Sequence, residues 1–292
     1  MFEPTVQREA RQLRSAGRGR GGLTSLVADG WLEPQRILPS AELSPFVHHF
    51  WSLRWALRSP YLGEALLHPA VSMLVETRDG TESAEIRGVH TGRVSKRLEG
   101  EGQVFGVTFR PAMFQPFLGA SMATLTDRTV PVPQILGAKA AAWARSILSA
   151  FASKPLRLEA APDLERMVGS AEDLIASLLP RAALEVACWR DLVERMALER
   201  TLLSVEAVSQ VSGLNRRFLQ RSFRRYVGVT PKWVIQRYRL LEAAEQLKTS
   251  TQPDLAALAA SLGYADQAHF TRDFTLMVGQ TPRSFAQKIR AR

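Results

Sequence analysis

The amino-acid sequence predicts an α+β fold: a small N-terminal antiparallel β-barrel or sandwich, then central helices, then an all-α C-terminal domain with two helix-turn-helix units. Short apolar runs separated by Gly, Pro and Asp fill residues 31–119, and helical periodicity follows from residue 131. A motif near the C-terminus occurs twice. We therefore divide the 292 residues into a basic tail over 1–28, a β-rich domain over 29–130, a helical region over 131–189 and a helix-turn-helix domain over 190–292.

The first 28 residues combine five arginines with four glycines and contain no apolar stretch that would form a core. This composition predicts a disordered tail. The arginines are Arg8, Arg11, Arg14, Arg18 and Arg20.

Alternating apolar and polar residues predict several short strands in the next domain, as at Phe105, Val107 and Phe109. Asp79-Gly80 and the glycine-rich residues 100–102 are predicted to be turns between strands. The predicted strands are residues 47–55, 65–67, 72–77, 82–86, 89–98 and 103–110.

Aromatic side chains on these strands are candidates for an effector pocket or for the domain core, and both readings stay open. They are Trp51, Trp55, Tyr61, Phe105 and Phe109.

Four histidines in this domain raise the question of a metal site, but their spacing does not fit a set of metal ligands. His48 and His49 are adjacent, and we expect them to point to opposite faces of a strand. We therefore predict structural roles for His48, His49, His68 and His90, with no metal and no cofactor.

Residues 111–119 predict a short helix, and residues 134–151, 161–179 and 181–203 predict three longer ones. Such helices either connect domains or pair two subunits, and the sequence does not separate these alternatives. The only cysteine, Cys188, lies in an apolar run and is predicted to be buried.

The C-terminal motif repeats with a constant offset of 51 residues: Arg221, Phe223 and Gly228 correspond to Arg272, Phe274 and Gly279. Each copy follows a helical stretch and a glycine-containing break, which is the pattern of a helix-turn-helix unit. Candidate N-caps open the second helix of each copy: Asn215 in the first and Asp266 in the second.

Residues 215–226 predict a two-sided helix in the first copy. Phe218, Leu219 and Phe223 form the predicted apolar side. Arginine and glutamine follow the other side at a spacing of three and four residues, which suits base edges in a DNA major groove. A solvated basic face is the alternative. The ridge consists of Arg217, Gln220, Arg221 and Arg224.

Thr230-Pro231 is predicted to start a helix that runs to about Lys248 between the two copies. Such a helix is about 26 Å long at 1.5 Å per residue. Since neighbouring major-groove segments lie about 34 Å apart, it would allow one chain to read two turns of a duplex.

Charge supports a polyanion as the partner of this domain. Residues 190–292 contain 17 Lys and Arg against 9 Asp and Glu, so they carry +8 of the net charge of +10. The sequence has neither an apolar stretch that predicts a membrane span nor a signal peptide, so we expect no membrane partner and a cytoplasmic location.

The C-terminal residues resemble the DNA-binding domain of AraC-type (AraC/XylS) transcriptional regulators. The resemblance covers about the last ninety residues and lies in the segments 228–233 (GVTPKW), 239–240 (RL), 255–259 (LAALA), 263–274 (GYADQAHFTRDF) and 279–282 (GQTP). Residues 50–51, 66–69, 88–92 and 104–111 are similar to an uncharacterised sensory-type domain often found before such domains.

The resemblance implies base contacts from Arg217, Gln220 and Arg221 in the first unit and from Gln267 and Arg272 in the second. Ala268 occupies a further family contact position and offers only apolar contact. For the phosphates we expect Arg216, Arg224, Arg225 and the Thr230 cap region.

These observations favour a sequence-specific, double-stranded DNA-binding transcriptional regulator without catalytic activity. Its expected partners are DNA, the transcription machinery, an unknown small effector and a second copy in a homodimer. Two alternatives remain: a metal-dependent sensor or enzyme that the helices tether to DNA, and an architectural DNA binder that responds to no effector.

Overall fold

The computed structural model describes residues 30–65, 68–153, 163–180, 183–250 and 252–290, and the predicted tail over 1–28 lies outside them. The N-terminal part is an antiparallel sheet of six strands in the order β1-β2-β5-β3-β4-β6. The strands are β1 Gly30–Ile37, β2 Val47–Ala65, β3 Ser72–Arg78, β4 Thr81–Arg87, β5 Val94–Phe109 and β6 Thr129–Pro131.

This sheet is open, so the predicted antiparallel β architecture is confirmed but the closed barrel is not. Within the described residues β1 pairs only with β2, and β6 pairs only with β4, which leaves both as edges. Both edge strands contain a proline, Pro34 and Pro131, which interrupts the row of free N–H donors. Helices cover one face of the sheet and supply the second layer that barrel closure would otherwise provide.

Residues 100–102 do not form the predicted turn but continue β5, where Gly100 pairs with Leu57 and Gly102 with Trp55. Gly100 adopts a positive φ of 57°, and Gly102 leaves room for the Trp55 ring that packs against it. The Asp79 carboxylate accepts a hydrogen bond from the Glu101 amide at 3.2 Å. The glycines therefore mark a bend and a close contact inside one long strand.

Strand β2 is longer than predicted because it continues past Pro60. Its register with β5 shifts between Leu57 and Tyr61, and such an irregularity accommodates a residue without an N–H donor. The predicted turn at Asp79 and Gly80 is confirmed, with φ values of 47° and 78°.

Ten α-helices follow in the described part of the chain, and none is long and apolar enough to span a bilayer. Short 3-10 helices cover Met122–Thr124 and Ala183–Val186. The α-helices are α1 Gln115–Leu118, α2 Val132–Ala152, α3 Leu164–Leu178, α4 Ala187–Leu198, α5 Val205–Ser212, α6 Arg216–Tyr226, α7 Pro231–Thr249, α8 Leu255–Ser261, α9 Gln267–Val278 and α10 Pro282–Arg290.

The predicted helical segments are present, with shifted ends. The segment predicted as 181–203 becomes a 3-10 turn followed by α4, which ends at Leu198. Cys188 lies in α4 and is exposed, so the prediction that it is buried is wrong. The neighbouring Trp189 and Leu192 are buried instead, because only one side of the helix faces the core.

The hydrophobic core does not separate the sheet from the first helix-turn-helix unit. One cluster of buried residues extends from Phe50 and Val107 in the sheet through Ile147 in α2 to Phe223 in α6 and Val234 in α7. A second cluster lies between the C-terminal half of α7 and helices α8 to α10. The second helix-turn-helix unit therefore has its own core.

Candidate nucleic-acid interface

Local sequence signals build the first helix-turn-helix unit from α5 and α6. Ser204 caps α5 by accepting a hydrogen bond from the Ala207 amide at 3.1 Å. Gly213 ends α5 in the left-handed conformation with a φ of 68°, where glycine has no steric cost. Asn215 then caps α6 through a 2.9 Å hydrogen bond from the Phe218 amide, as predicted.

The buried side of α6 consists of Leu219, Ser222 and Phe223. Phe218, predicted to belong to this side, is 38% exposed. It lies one residue, or about 100°, away from Leu219 on the helix, and the centre of its ring is 6.2 Å from that of the tilted Trp189 ring in α4. The buried stripe is thus narrower than the sequence pattern indicated.

The opposite side of α6 presents the predicted polar ridge to solvent. Arg217, Gln220, Arg221 and Arg224 are all exposed. The Arg221 guanidinium lies 5.7 Å from the centre of the Phe218 ring. This cation–π contact restricts the long side chain of Arg221, so Phe218 helps to hold Arg221 in place on the ridge.

A cleft of about 820 Å³ lies in front of this ridge. All four ridge residues line it, together with Arg225 and Thr230. The opposite wall belongs to the N-terminal domain and consists of Gly119, Ala120, Ser121 and Ala123. Five basic or amide side chains on one wall make the cleft suitable for a phosphate chain.

Two of the predicted phosphate-contact residues already have intramolecular partners. Arg216 forms an ion pair with Glu206 of α5 at 2.7 Å, on the side away from the cleft. Thr230 accepts a hydrogen bond from the Trp233 amide at 3.2 Å and caps α7. Both groups of the ion pair are more than half exposed, so the pair stabilises little and can exchange.

Helices α8 and α9 repeat the arrangement in the second unit. Gly263 has a φ of 73°, and Asp266 caps α9 by accepting a 2.7 Å hydrogen bond from the His269 amide. The predicted readers Gln267 and Arg272, together with Ala268, are exposed on one side of α9.

This side of α9 also includes three residues that the sequence analysis did not identify. Thr271, Thr275 and Leu276 line the same shallow groove as Gln267 and Arg272. Leu276 is 72% exposed. Thr271 and Thr275 follow Gln267 in two steps of four residues, and Leu276 lies four residues after Arg272, so helical spacing was the available signal. The second recognition surface is therefore more apolar than the first.

Helix α7 connects the two units, and its ends belong to different cores. Val234 and Ile235 pack in the first cluster, whereas Leu240 and Leu247 pack in the second. Its 19 residues correspond to about 28 Å at 1.5 Å per residue.

The five aromatic residues considered as an effector pocket do not face a common space. Phe105 and Phe109 lie on the helix-covered face of the sheet, and Phe105 contacts Trp143 at 6.3 Å. The remaining three, Trp51, Trp55 and Tyr61, pack on the opposite face. Successive residues of a strand point to opposite faces, and this alternation separates the two groups.

The adjacent histidines contact each other, contrary to the expectation that they point to opposite faces. The register shift between Val47 and His49 interrupts the alternation, and the two Nδ1 atoms lie 2.8 Å apart. Arg36 donates to His48 Nδ1 at 3.1 Å, so that nitrogen is an acceptor and His49 is the donor of the pair. Burial, followed by nearby Arg36, lowers the pKa of His48 to about 4 and of His49 to about 2.

Neutral histidines of this kind are suitable metal ligands, but the described part of the chain brings no set of three ligands together. Across the described ranges no group of three or more His, Cys, Asp or Glu is arranged to hold a metal ion. The centre of the His68 ring lies 6.0 Å from that of His48 and 6.1 Å from that of Tyr238 of α7, with the rings tilted in both pairs. The cluster therefore connects the sheet to α7 through ring contacts.

Two helix-turn-helix units on one connecting helix, each with an exposed polar face, define a DNA-binding protein. Residues 208–288 match a family described as a helix-turn-helix domain, and residues 35–131 match one described as a domain of unknown function (DUF6597). The second match coincides with most of the sheet.

Two curated relatives share the C-terminal region. The regulatory protein SoxS of Escherichia coli (strain K12) is 33% identical over 87 residues, which is 30% of this chain and 80% of SoxS. The F1 operon positive regulatory protein of Yersinia pestis is 35% identical over 88 residues, which is 30% of this chain but only 29% of that protein. The chain belongs to the AraC family of transcriptional regulators.

The chain as a whole is similar to the crystal structure of ToxT from Vibrio cholerae O395, with a TM-score of 0.40 and 10% sequence identity. The similarity covers 90% of this chain and 99% of that chain.

Proposed function

We propose that this regulator recognises a specific DNA sequence through two successive major-groove segments on one side of the duplex, with α6 as the main reader. The observation that carries the proposal is the exposed ridge of three arginines and one glutamine on α6, which lines a cleft together with a further arginine, Arg225. An α-helix with such a ridge fits the major groove, where arginine and glutamine distinguish base pairs.

The proposed base contacts are Arg217, Gln220 and Arg221 in the first groove segment. Gln267 and Arg272 read the second segment, where the apolar surface around Leu276 favours thymine methyl groups. The proposed phosphate contacts are Arg216, Arg224, Arg225 and Thr230. Arg216 exchanges its partner Glu206 for a phosphate, at little cost because the ion pair is exposed.

The N-terminal sheet modulates DNA binding in this proposal, either by binding a small effector or by supporting a homodimer. Support comes from the hydrophobic cluster that the sheet shares with α6 and α7, because a change in the sheet then alters the packing of the first reader. In this proposal the protein acts on the transcription machinery in the cytoplasm and performs no catalytic step.

Selection of binding sites from random double-stranded DNA, followed by titration of the selected site, tests sequence recognition. Replacement of Arg221 by Ala is expected to weaken binding to that site by about 1 to 3 kcal/mol and to relax the preference at one base pair. Arg145→Ala, at an exposed position on α2, is the matched control and is expected to bind like the wild type. Failure to enrich any sequence would refute the proposal.

The modulation is tested separately by titrating the selected site with the protein after incubation with a library of small metabolites. A compound that raises the melting temperature and changes DNA affinity supports an effector. If neither a compound nor the protein's oligomeric state changes DNA affinity, the architectural alternative is favoured.

A further inference from the structure

Two loops of the N-terminal domain contact the two helix-turn-helix units at corresponding positions. The loops are residues 88–93, before β5, and residues 121–128, before β6, and we call them together the loop bracket. Their targets are Gly228, after α6, and Gly279, after α9, which the 51-residue repeat relates to each other.

The second loop holds the end of α6 by two hydrogen bonds. Ser121 Oγ donates to the Arg224 carbonyl at 3.1 Å, and Thr126 Oγ1 donates to the Gly228 carbonyl at 2.7 Å. Gly228 has a φ of 99°, and a side chain there would collide with the Thr126 hydroxyl. Arg224 lies in the last turn of α6, where backbone carbonyls lack partners within the helix, so Ser121 supplies a donor to one of them.

The first loop reaches the end of α9. Gly279 ends this helix with a φ of 83°, and the Arg93 guanidinium occupies the space that a side chain at Gly279 would take. Helix α9 has no basic residue in its last turn, whereas α6 has Arg224 and Arg225. Arg93 therefore brings a positive charge to the negative end of a helix that has none of its own.

Asp127 joins the two loops. Its carboxylate oxygens accept hydrogen bonds from the Thr91 amide at 2.7 Å and the Thr91 hydroxyl at 2.6 Å. Its own amide donates to the Val89 carbonyl at 2.9 Å, and the Gly88 amide donates to the Arg128 carbonyl at 3.0 Å. The bracket is therefore one connected unit that reaches both recognition helices.

We infer that Arg93 and Asp127 are positioning residues that fix the second helix-turn-helix unit relative to the first and thereby set the spacing of DNA segments that the chain reads. The two units have separate hydrophobic clusters, and α7 is the segment that joins them. The bracket adds a second connection, through the N-terminal domain, at the ends of both recognition helices. The role in DNA spacing rests on the proposed function, whereas the fixed arrangement of the two helix-turn-helix units does not.

The positioning is measured without DNA as the distance between two spin labels, one on each recognition helix. The full chain with Cys188→Ser receives labels at Arg217→Cys and Ala268→Cys, both exposed positions. We expect a narrow distance distribution that becomes broader or shifts when Arg93→Met or Asp127→Ala is added. Both residues are exposed, so the substitutions leave the cores intact.

Arg93→Lys retains the positive charge and is expected to restore the narrow distribution. Arg97→Met removes an exposed arginine on β5, outside the loop bracket, and is expected to have no effect. An unchanged distribution in both Arg93→Met and Asp127→Ala refutes the inference. A broadening that Arg97→Met reproduces refutes it as well, because the effect would then not depend on the bracket.

The consequence for DNA is measured on the selected site and on versions with one or two base pairs inserted between its halves. We expect the wild type to prefer one spacing and Arg93→Met to reduce that preference by about two- to fivefold, as loss of a charge at a helix end implies. An unchanged preference refutes the role in spacing. If the wild type binds no DNA, the proposed function fails, and the label distances alone decide the inference.

Discussion

The two histidines at the start of β2 illustrate how a single irregularity in a strand changes side-chain chemistry. Without the register shift between Val47 and His49, their rings would lie on opposite faces of the sheet. With it, the two Nδ1 atoms come within 2.8 Å of each other beside Arg36, and both histidines are part-buried and neutral at pH 7. Protonation of these two histidines in acid is therefore unfavourable in the folded protein.

Acid is expected to destabilise the fold through this pair. In the unfolded chain a histidine has a pKa of about 6.5, above the values of about 4 and about 2 in the folded protein. Below pH 6.5 the unfolded state binds protons that the folded state does not. The free energy of unfolding should therefore fall by about 1 kcal/mol per pH unit for each histidine between pH 6.5 and 4.

Urea unfolding at pH 7.5 and pH 5 measures this loss. The double variant His48→Gln and His49→Gln is expected to show a smaller pH dependence, whereas His269→Gln, at an exposed position on α9, keeps the dependence of the wild type. If the free energy of unfolding falls equally with pH in the double variant and the wild type, the histidine pair is not the cause of the acid destabilisation.

The proposed DNA recognition also depends on single side chains, and the two helices proposed to read bases differ in theirs. Arg217, Gln220 and Arg221 offer three hydrogen-bonding groups on α6, whereas Ala268 and Leu276 make much of the α9 surface apolar. We expect Leu276→Ala to weaken binding to the selected site by about 1 kcal/mol if a thymine methyl group lies against it. Replacement of that thymine by uracil, which lacks the methyl group, should remove the difference between variant and wild type.

At the scale of elements, the geometry of α6 depends on how the helix begins. Asn215 accepts the Phe218 amide, and the helix presents Arg217 within its first turn. Replacement of Asn215 by Ala is expected to cost about 1 kcal/mol of stability, since the first-turn amide loses its partner. Fraying of this turn should also weaken DNA binding.

Urea unfolding and DNA titration check both effects. The control is Gln210→Ala, an exposed amide on α5, which should alter neither quantity. If the Asn215→Ala variant is as stable as the wild type and binds DNA with the same affinity, the N-cap is not needed to keep α6 in place.

At the scale of the whole molecule, the two helix-turn-helix units differ in what stabilises them. The first shares the core of the sheet and α2, whereas the second packs on the C-terminal half of α7. A small separate core contributes less burial than one that extends through the N-terminal domain. We therefore expect α9 to open at a lower free energy than α6.

Native-state hydrogen exchange measures the free energy at which the amides of α6 and of α9 become exposed. Ile147→Ala on α2 removes a side chain that is 2% exposed and should lower the protection of α6 amides by about 2 to 5 kcal/mol. Leu247→Ala, equally buried in the second cluster, should lower the protection of α9 amides and leave α6 unchanged. Identical responses of α6 and α9 to both variants would show that the protein opens as a single unit.

Much of the C-terminal domain was predictable because its signals are local. N-caps at Asn215 and Asp266, left-handed glycines and Thr230-Pro231 each act within a few residues, so the sequence places the helix starts closely. The exposed ridge on α6 follows from helical spacing in the same way. The strands were less predictable, because Gly100 and Gly102 mark a bend that only pairing with β2 reveals.

The sequence by itself determined the order of the C-terminal helices, the repeated units and the polar ridge on α6, since these depend on neighbours along the chain. It did not predict strands β1 and β6. Only the tertiary structure decided the features that depend on strand register and packing: the contact between the His48 and His49 rings, the exposure of Phe218 and the split of the aromatic residues between two faces. It also decided that Arg93 and Thr126 reach Gly279 and Gly228. Contacts between residues distant in sequence depend on strand register and helix packing, for which no local pattern exists.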